Sequence, residues 1–150
     1  MLKPLMREES RFAFIGRPHD WETLSVPPSM DLIVAAPERS GHFRPNAVVN
    51  SFSYSGSIAK LCTVVLAYAR TSMKDLFFIS VDELFTDSGI GRIIEYTYSA
   101  GDNPVHCKVV VLQTTNHAVL VTASCAASEL SAYDEILELV CTSVQLKEES

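Results

Sequence analysis

The sequence predicts an α+β fold, an antiparallel sheet with helices packed on it. Three observations point there. The strand-like segments between residues 92 and 125 are joined by connections too short for anything but antiparallel neighbours. Two segments, near 57–73 and 128–144, repeat apolar residues at helical spacing. And 150 residues, 47% hydrophobic and 20% charged, are enough for one real core without metal or disulfide staples.

In chain order, residues 11–15 read as a short strand ended by Gly16 and Pro18. The Trp21 segment, 20–24, follows, and Pro27-Pro28 breaks the chain. Residues 31–36 (Leu32, Ile33, Val34) form a strand closed by Pro37, 38–45 a loop, and 46–54 a third strand. Ser57 has the short hydroxyl of an N-cap. Behind it Ile58, Leu61, Cys62, Val65, Tyr68 and Ala69 run to about Met73. That helix is apolar almost all round, which predicts burial on more than one side. Residues 75–85 are a strand with an irregular end, and 87–91 a turn. Strands at 92–99, 105–114 and 117–125 are then joined through 100–104 and Thr115-Asn116. The last helix begins near Ser128, with Leu130, Tyr133, Ile136, Leu137, Val140, Cys141 and Val144 as its stripe. The order is βββ-α-ββββ-α. We expect one domain over 1–150, with 1–10 and 147–150 as polar tails and Leu61, Val65, Ile136, Leu137 and Val140 in the core.

A net charge of −6 argues against a dedicated nucleic-acid binder. No apolar run approaches the roughly 18–20 residues of a membrane span, and no secretory signal follows Met1, so a cytoplasmic location is expected. Cys62, Cys107, Cys125 and Cys141 lie far apart in apolar segments, without metal-ligand spacing. They read as four free core thiols.

The element order, Phe12-Ala-Phe14, the Trp21 segment with its prolines, Arg44-Pro-Asn-Ala-Val-Val49, the middle helix, the meander and the closing helix together resemble the Mog1/PsbP-like superfamily. Within it the chain looks most like small actinobacterial proteins of the LpqN type, with Pro45-Asn46-Ala47-Val48-Val49 as the nearest local match. The resemblance covers 11–146. It implies an α/β/α sandwich and protein binding rather than chemistry, with no catalytic residues to carry over. Unlike the lipoprotein members, this chain shows no signal peptide and no lipidated N-terminal cysteine.

Few constellations carry chemistry. If Thr115-Asn116 is a two-residue turn and the 100–104 loop closes 99 onto 105, then Tyr98, His106 and Cys125 share one row of a sheet face. A histidine beside a thiol can make a nucleophile; the plainer reading is a half-buried imidazole beside a core thiol. The four histidines, His19, His42, His106 and His117, are scattered and predict no metal site. Gly89-Ile-Gly91 is no phosphate loop, and neither a P-loop nor a nucleophile elbow occurs. No cofactor is implied.

The best local candidate for a binding site is the loop bearing Arg39, His42, Phe43, Arg44 and Asn46, which mixes cations with an aromatic. Trp21, the single tryptophan, is either a core plug or an added anchor. The expected function is a non-enzymatic module that holds a protein partner by this loop or by a sheet face. A small apolar ligand or lipid-binding domain is the alternative, and an enzyme built on His106 and Cys125 the third reading.

Overall fold

The computed structural model describes residues 4–147. Among them, ten strands and two helices follow in the order β1 (Met6–Glu9), β2 (Ala13–Arg17), β3 (Glu22–Leu24), β4 (Leu32–Ala35), β5 (Asn46–Ser53), α1 (Ile58–Ser72), β6 (Lys74–Thr86), β7 (Gly89–Ala100), β8 (Asn103–Gln113), β9 (His117–Ala126), α2 (Leu130–Thr142) and β10 (Gln145–Leu146). The main sheet is antiparallel, in the order β3-β4-β5-β9-β8-β7-β6. A smaller sheet has the order β1-β2-β10.

β8 shows how the layers form. Its side chains alternate between faces because a strand has a period of two. Val105, Cys107, Val109 and Val111 pack with Leu61 and Cys62 of α1. Val110 and Leu112 pack on the other face with Leu137 and Val140 of α2 and with Ala13 and Ile15 of β2. The result is the expected α/β/α sandwich, with the small sheet sharing the α2 side. Leu61, Leu137 and Val140 are buried, while Val65 and Ile136 are only half-buried.

Ser57 caps α1 as expected: its hydroxyl accepts from the Lys60 N–H at 3.1 Å. Met73 ends the helix in extended backbone and leads directly into β6.

Several expectations need correction. Five strands, not three, precede α1, and β10 closes the described chain. The first strand of the 11–15 segment is displaced to Ala13–Arg17. The tails at 1–10 and 147–150 are not simply polar ends. β1 pairs with β2, the Lys147 N–H donates to Phe12 O at 2.8 Å, and the Lys147 ammonium meets Glu9. Residues 1–3 and 148–150 lie outside the described residues. The 87–91 turn is shorter than expected, since β7 already begins at Gly89. Finally, α1 is buried on one side only. Val64 and Tyr68 point outward, and Tyr68 is 70% exposed.

Candidate functional site

The row around His106 forms differently from expectation. His106 stands opposite Cys125 on β9, as expected, but opposite Thr97 rather than Tyr98 on β7; Tyr98 faces Val105. The connection is a two-residue turn, Gly101-Asp102, between Ala100 and Asn103. Gly101 takes φ +63°, which a glycine adopts at no steric cost and which begins a II′-type turn. Closing at Ala100 rather than Ser99 moves the register by one, and a one-residue shift changes the face.

His106 Nε2 lies 2.8 Å from Glu95 Oε2, and the imidazole is almost fully buried. Beside it the Lys108 ammonium reaches Asp134 Oδ1 and Glu138 Oε2 of α2, both at 2.8 Å. Burial pushes the Lys108 pKa down, but the two carboxylates outweigh it and hold it above the usual lysine value. Burial also pushes the Cys125 thiol up to about 11. An activated nucleophile needs the opposite shift. Lys108 fastens α2 to β8, and His106 with Glu95 ties β8 to β7. On the α1 side, burial likewise pushes Cys107 up to about 11 although Ser124 Oγ lies 3.1 Å from its sulfur, and it raises Tyr96 well above the usual phenol.

The loop after β4 does collect its expected residues. Arg39 grips Glu129 through both carboxylate oxygens at 2.8 Å and lies over the Tyr133 ring. Arg44 Nε donates to Ala36 O at 2.7 Å, and its guanidinium also reaches Glu22. Asn46 Nδ2 donates to Arg44 O at 2.9 Å. Phe43 is half-buried against the core beneath α1, and His42 is exposed. These contacts shape the loop rather than leaving its cations free. A recess of about 340 Å³ remains beside it, between His42, Phe43, Asn103, Pro104 and Glu129.

Trp21 does not join that loop. It is 3% exposed within the α2-side core, so it plugs the core and offers no surface to a partner.

Two surfaces escape sequence reasoning. A cleft of about 910 Å³ opens between the small sheet and the β6–β7 turn. In it Arg7 lies 3.7 Å above the Phe14 ring. The second is the rim of the sheet on the α1 side. Val81 pairs with Ile94 and Phe85 with Ile90, so these side chains share the face that carries α1. Phe85 is 73% exposed, and Val81, Ile90, Phe52, Val64 and Tyr68 are exposed with it. The only available signal was the run Leu76-Phe-Phe-Ile79, apolar at both parities. It reads as an interior strand, yet β6 is the edge. Among the described residues no three of His, Cys, Asp and Glu converge as a metal site.

No family model matches the chain, and no curated protein matches it in sequence. Solved structures share its fold. LpqN from Mycobacterium tuberculosis, described as involved in cell envelope biogenesis, superposes with a TM-score of 0.71 at 12% identity, over 91% of this chain and 83% of LpqN. Cyanobacterial PsbP from Synechocystis sp. PCC 6803 gives 0.70 at 16% identity, over 98% and 95%. PA94 from Pseudomonas aeruginosa, a protein of unknown function, gives 0.68 at 10% identity, over 95% and 100%. The fold is therefore the Mog1/PsbP-like fold.

Proposed function

We propose that this chain, built on the Mog1/PsbP-like fold, is a non-enzymatic accessory module that holds a protein partner on the α1 side of its sheet. The observation that carries this reading is the set of exposed apolar side chains there, above all Tyr68, Phe85 and Ile90. Interfaces draw their anchors from exposed aromatic and aliphatic side chains of this kind. The net charge of −6 favours a neutral or basic partner, because complementary potential speeds encounter. The raised Cys125 thiol argues against the enzyme reading. Among the described residues no helix is long and apolar enough to cross a membrane, and the four free, buried thiols support a reducing compartment such as the cytoplasm.

The test is site-specific photo-crosslinking in native lysate, with the reactive residue placed in turn at Phe85, Ile90, His42 and Glu135. One partner, crosslinked from Phe85 and Ile90 but not from Glu135, is the expected result. Adducts from His42 alone would move the site to the loop of Arg39, His42, Phe43, Arg44 and Asn46, whose recess is the second reading.

A further inference from the structure

The outer face of the small sheet forms one wall of the cleft beside the β6–β7 turn. Ala13 and Ile15 point into the core, so Phe14 between them points outward. Glu9 and Gln145 stand opposite Phe14 on the flanking strands and share that face, and Arg7 joins them two residues before Glu9. The Arg7 guanidinium lies 3.7 Å above the Phe14 ring, a contact that restrains the side chain. Among the described residues it forms no hydrogen bond or ion pair, so its fork of N–H donors is open. Lys147, by contrast, is taken by Glu9.

The facing wall is the turn Asp87-Ser88, which is tied down three times. Thr86 Oγ1 donates to Gly89 O at 2.8 Å and accepts from the Ser88 N–H at 3.2 Å. Ser88 Oγ accepts from the Leu146 N–H at 3.1 Å. Asp87 lines the cleft from this braced turn, exposed and without an ion pair among the described residues. Arg7 and Asp87 thus carry opposite charges in one cleft without meeting.

Charge decides the class of ligand. The charged side chains that line the cleft cancel, Arg7 and Lys147 against Glu9 and Asp87. A lone anion would meet the Asp87 carboxylate, and a lone cation the Arg7 guanidinium. A molecule with a charge of each sign complements both. The volume of about 910 Å³ suits a drug-sized molecule, whose sites span roughly 300–1,000 Å³. Gln145, exposed beside Phe14, offers an amide to a peptide group. We propose that the cleft binds a short free peptide as a zwitterion, its carboxylate on Arg7 and its ammonium on Asp87.

The test uses the full chain at low salt and neutral pH, with trialanine, its C-terminal amide and its N-acetyl form as probes. Amide chemical shifts report binding. Trialanine is expected to shift Phe14 and Ser88 saturably, and either cap to weaken binding about tenfold or more, because each removes one charge. Arg7→Gln should make trialanine and its amide bind alike while acetylation still weakens. Asp87→Asn should do the reverse. The proposal is overturned by the absence of saturable shifts at millimolar trialanine, by tolerance of either cap on the native chain, or by a preference that survives its matched substitution. Should either variant fail to fold, the contrast between capped and free peptide on the native chain decides alone.

Discussion

His106 and Cys125 face each other across β8 and β9, yet the imidazole turns to Glu95 and the thiol stays protonated, its pKa pushed up to about 11 by burial. Proximity alone does not make a nucleophile, because the thiolate is the reactive form. The four cysteines are buried, so a disulfide-exchange reagent at neutral pH should titrate none of them in the folded chain and all four after denaturation. One rapidly reacting thiol in the native protein, lost in Cys125→Ala, contradicts this.

The same burial sets an alkaline limit. Folded Cys107 and Cys125 titrate at about 11 and Cys141 at about 12, against an ordinary value of 9.0, with desolvation as the leading cause. The folded state therefore holds more protons than the unfolded one above that ordinary value. Stability falls as pH rises through this window. Each thiol should remove about 1 kcal/mol per pH unit there. Tyr96 and Lys108, both shifted upward, act in the same direction at higher pH. Urea midpoints should be flat through neutrality and drop above about pH 9. Cys141→Ala should flatten that drop; an unchanged alkaline limb counts against the assignment.

The two sides of the Lys108 cluster are not equivalent. The ammonium is nearly buried, whereas Asp134 and Glu138 are each about half exposed. Lys108→Met leaves two carboxylates that water can solvate, so it should cost under about 1.5 kcal/mol. The double change Asp134→Ala with Glu138→Ala strands a buried cation and should cost about 3–5 kcal/mol. Chemical denaturation of the two variants checks the asymmetry, and equal losses would refute it.

Within the core, Leu137→Ala should cost about 2–5 kcal/mol, because Leu137 is fully buried between α2 and the sheet. Gly91 is constrained by space. A Cβ there would meet the Leu112 side chain and, at 2.5 Å, the Val111 carbonyl oxygen. Gly91→Ala should therefore cost about 1–3 kcal/mol. Thermal or urea unfolding measures both, and a Gly91→Ala protein of native stability would show that β7 and β8 can separate locally.

Surface changes divide differently. Phe85→Ser and Ile90→Ser remove exposed side chains and should alter stability by less than about 0.5 kcal/mol while weakening partner capture. Arg44→Ala removes the bond to Ala36 O and should cost about 1–2 kcal/mol. His42→Ala is thus the cleaner probe of the loop, since it lies exposed. Calorimetry beside the crosslinking assay separates loss of binding from loss of fold.

Legibility in the sequence followed locality. The α1 boundaries at Ser57 and Met73, the Thr115-Asn116 turn and the α2 stripe were readable because neighbours in sequence determine them. The short strands β1, β3 and β10 were not. Each has two to four residues, too few to show a period of two; β1 and β3 pair with the strand that follows them, and β10 is held by a distant partner, Leu146 against Ala13. Tyr98 was assigned to the wrong row because a five-residue reading of 100–104 hid the two-residue turn at Gly101-Asp102. The outward face of α1 was not readable either. An apolar Tyr68 or Val64 looks the same in sequence whether or not a layer covers it. For the same reason the sequence left Trp21 between core plug and anchor, and it singled out the loop of Arg39 and Arg44 by composition alone.

The bulged edge strand has a consequence for colloidal behaviour. A free sheet edge invites strand addition from another molecule and, repeated, fibril growth. In β6 the register shifts twice, between Lys74 and Phe77 and between Phe78 and Ser80, and Asp75 takes φ 54°. That stretch cannot serve as a straight template. The regular remainder carries Asp82 and Glu83, so two copies meeting edge to edge would set carboxylate against carboxylate. The chain thus guards its most apolar border by geometry at one end and by like charge at the other. Asp82→Asn with Glu83→Gln removes the second guard, and light scattering should then rise while the bulged end still resists.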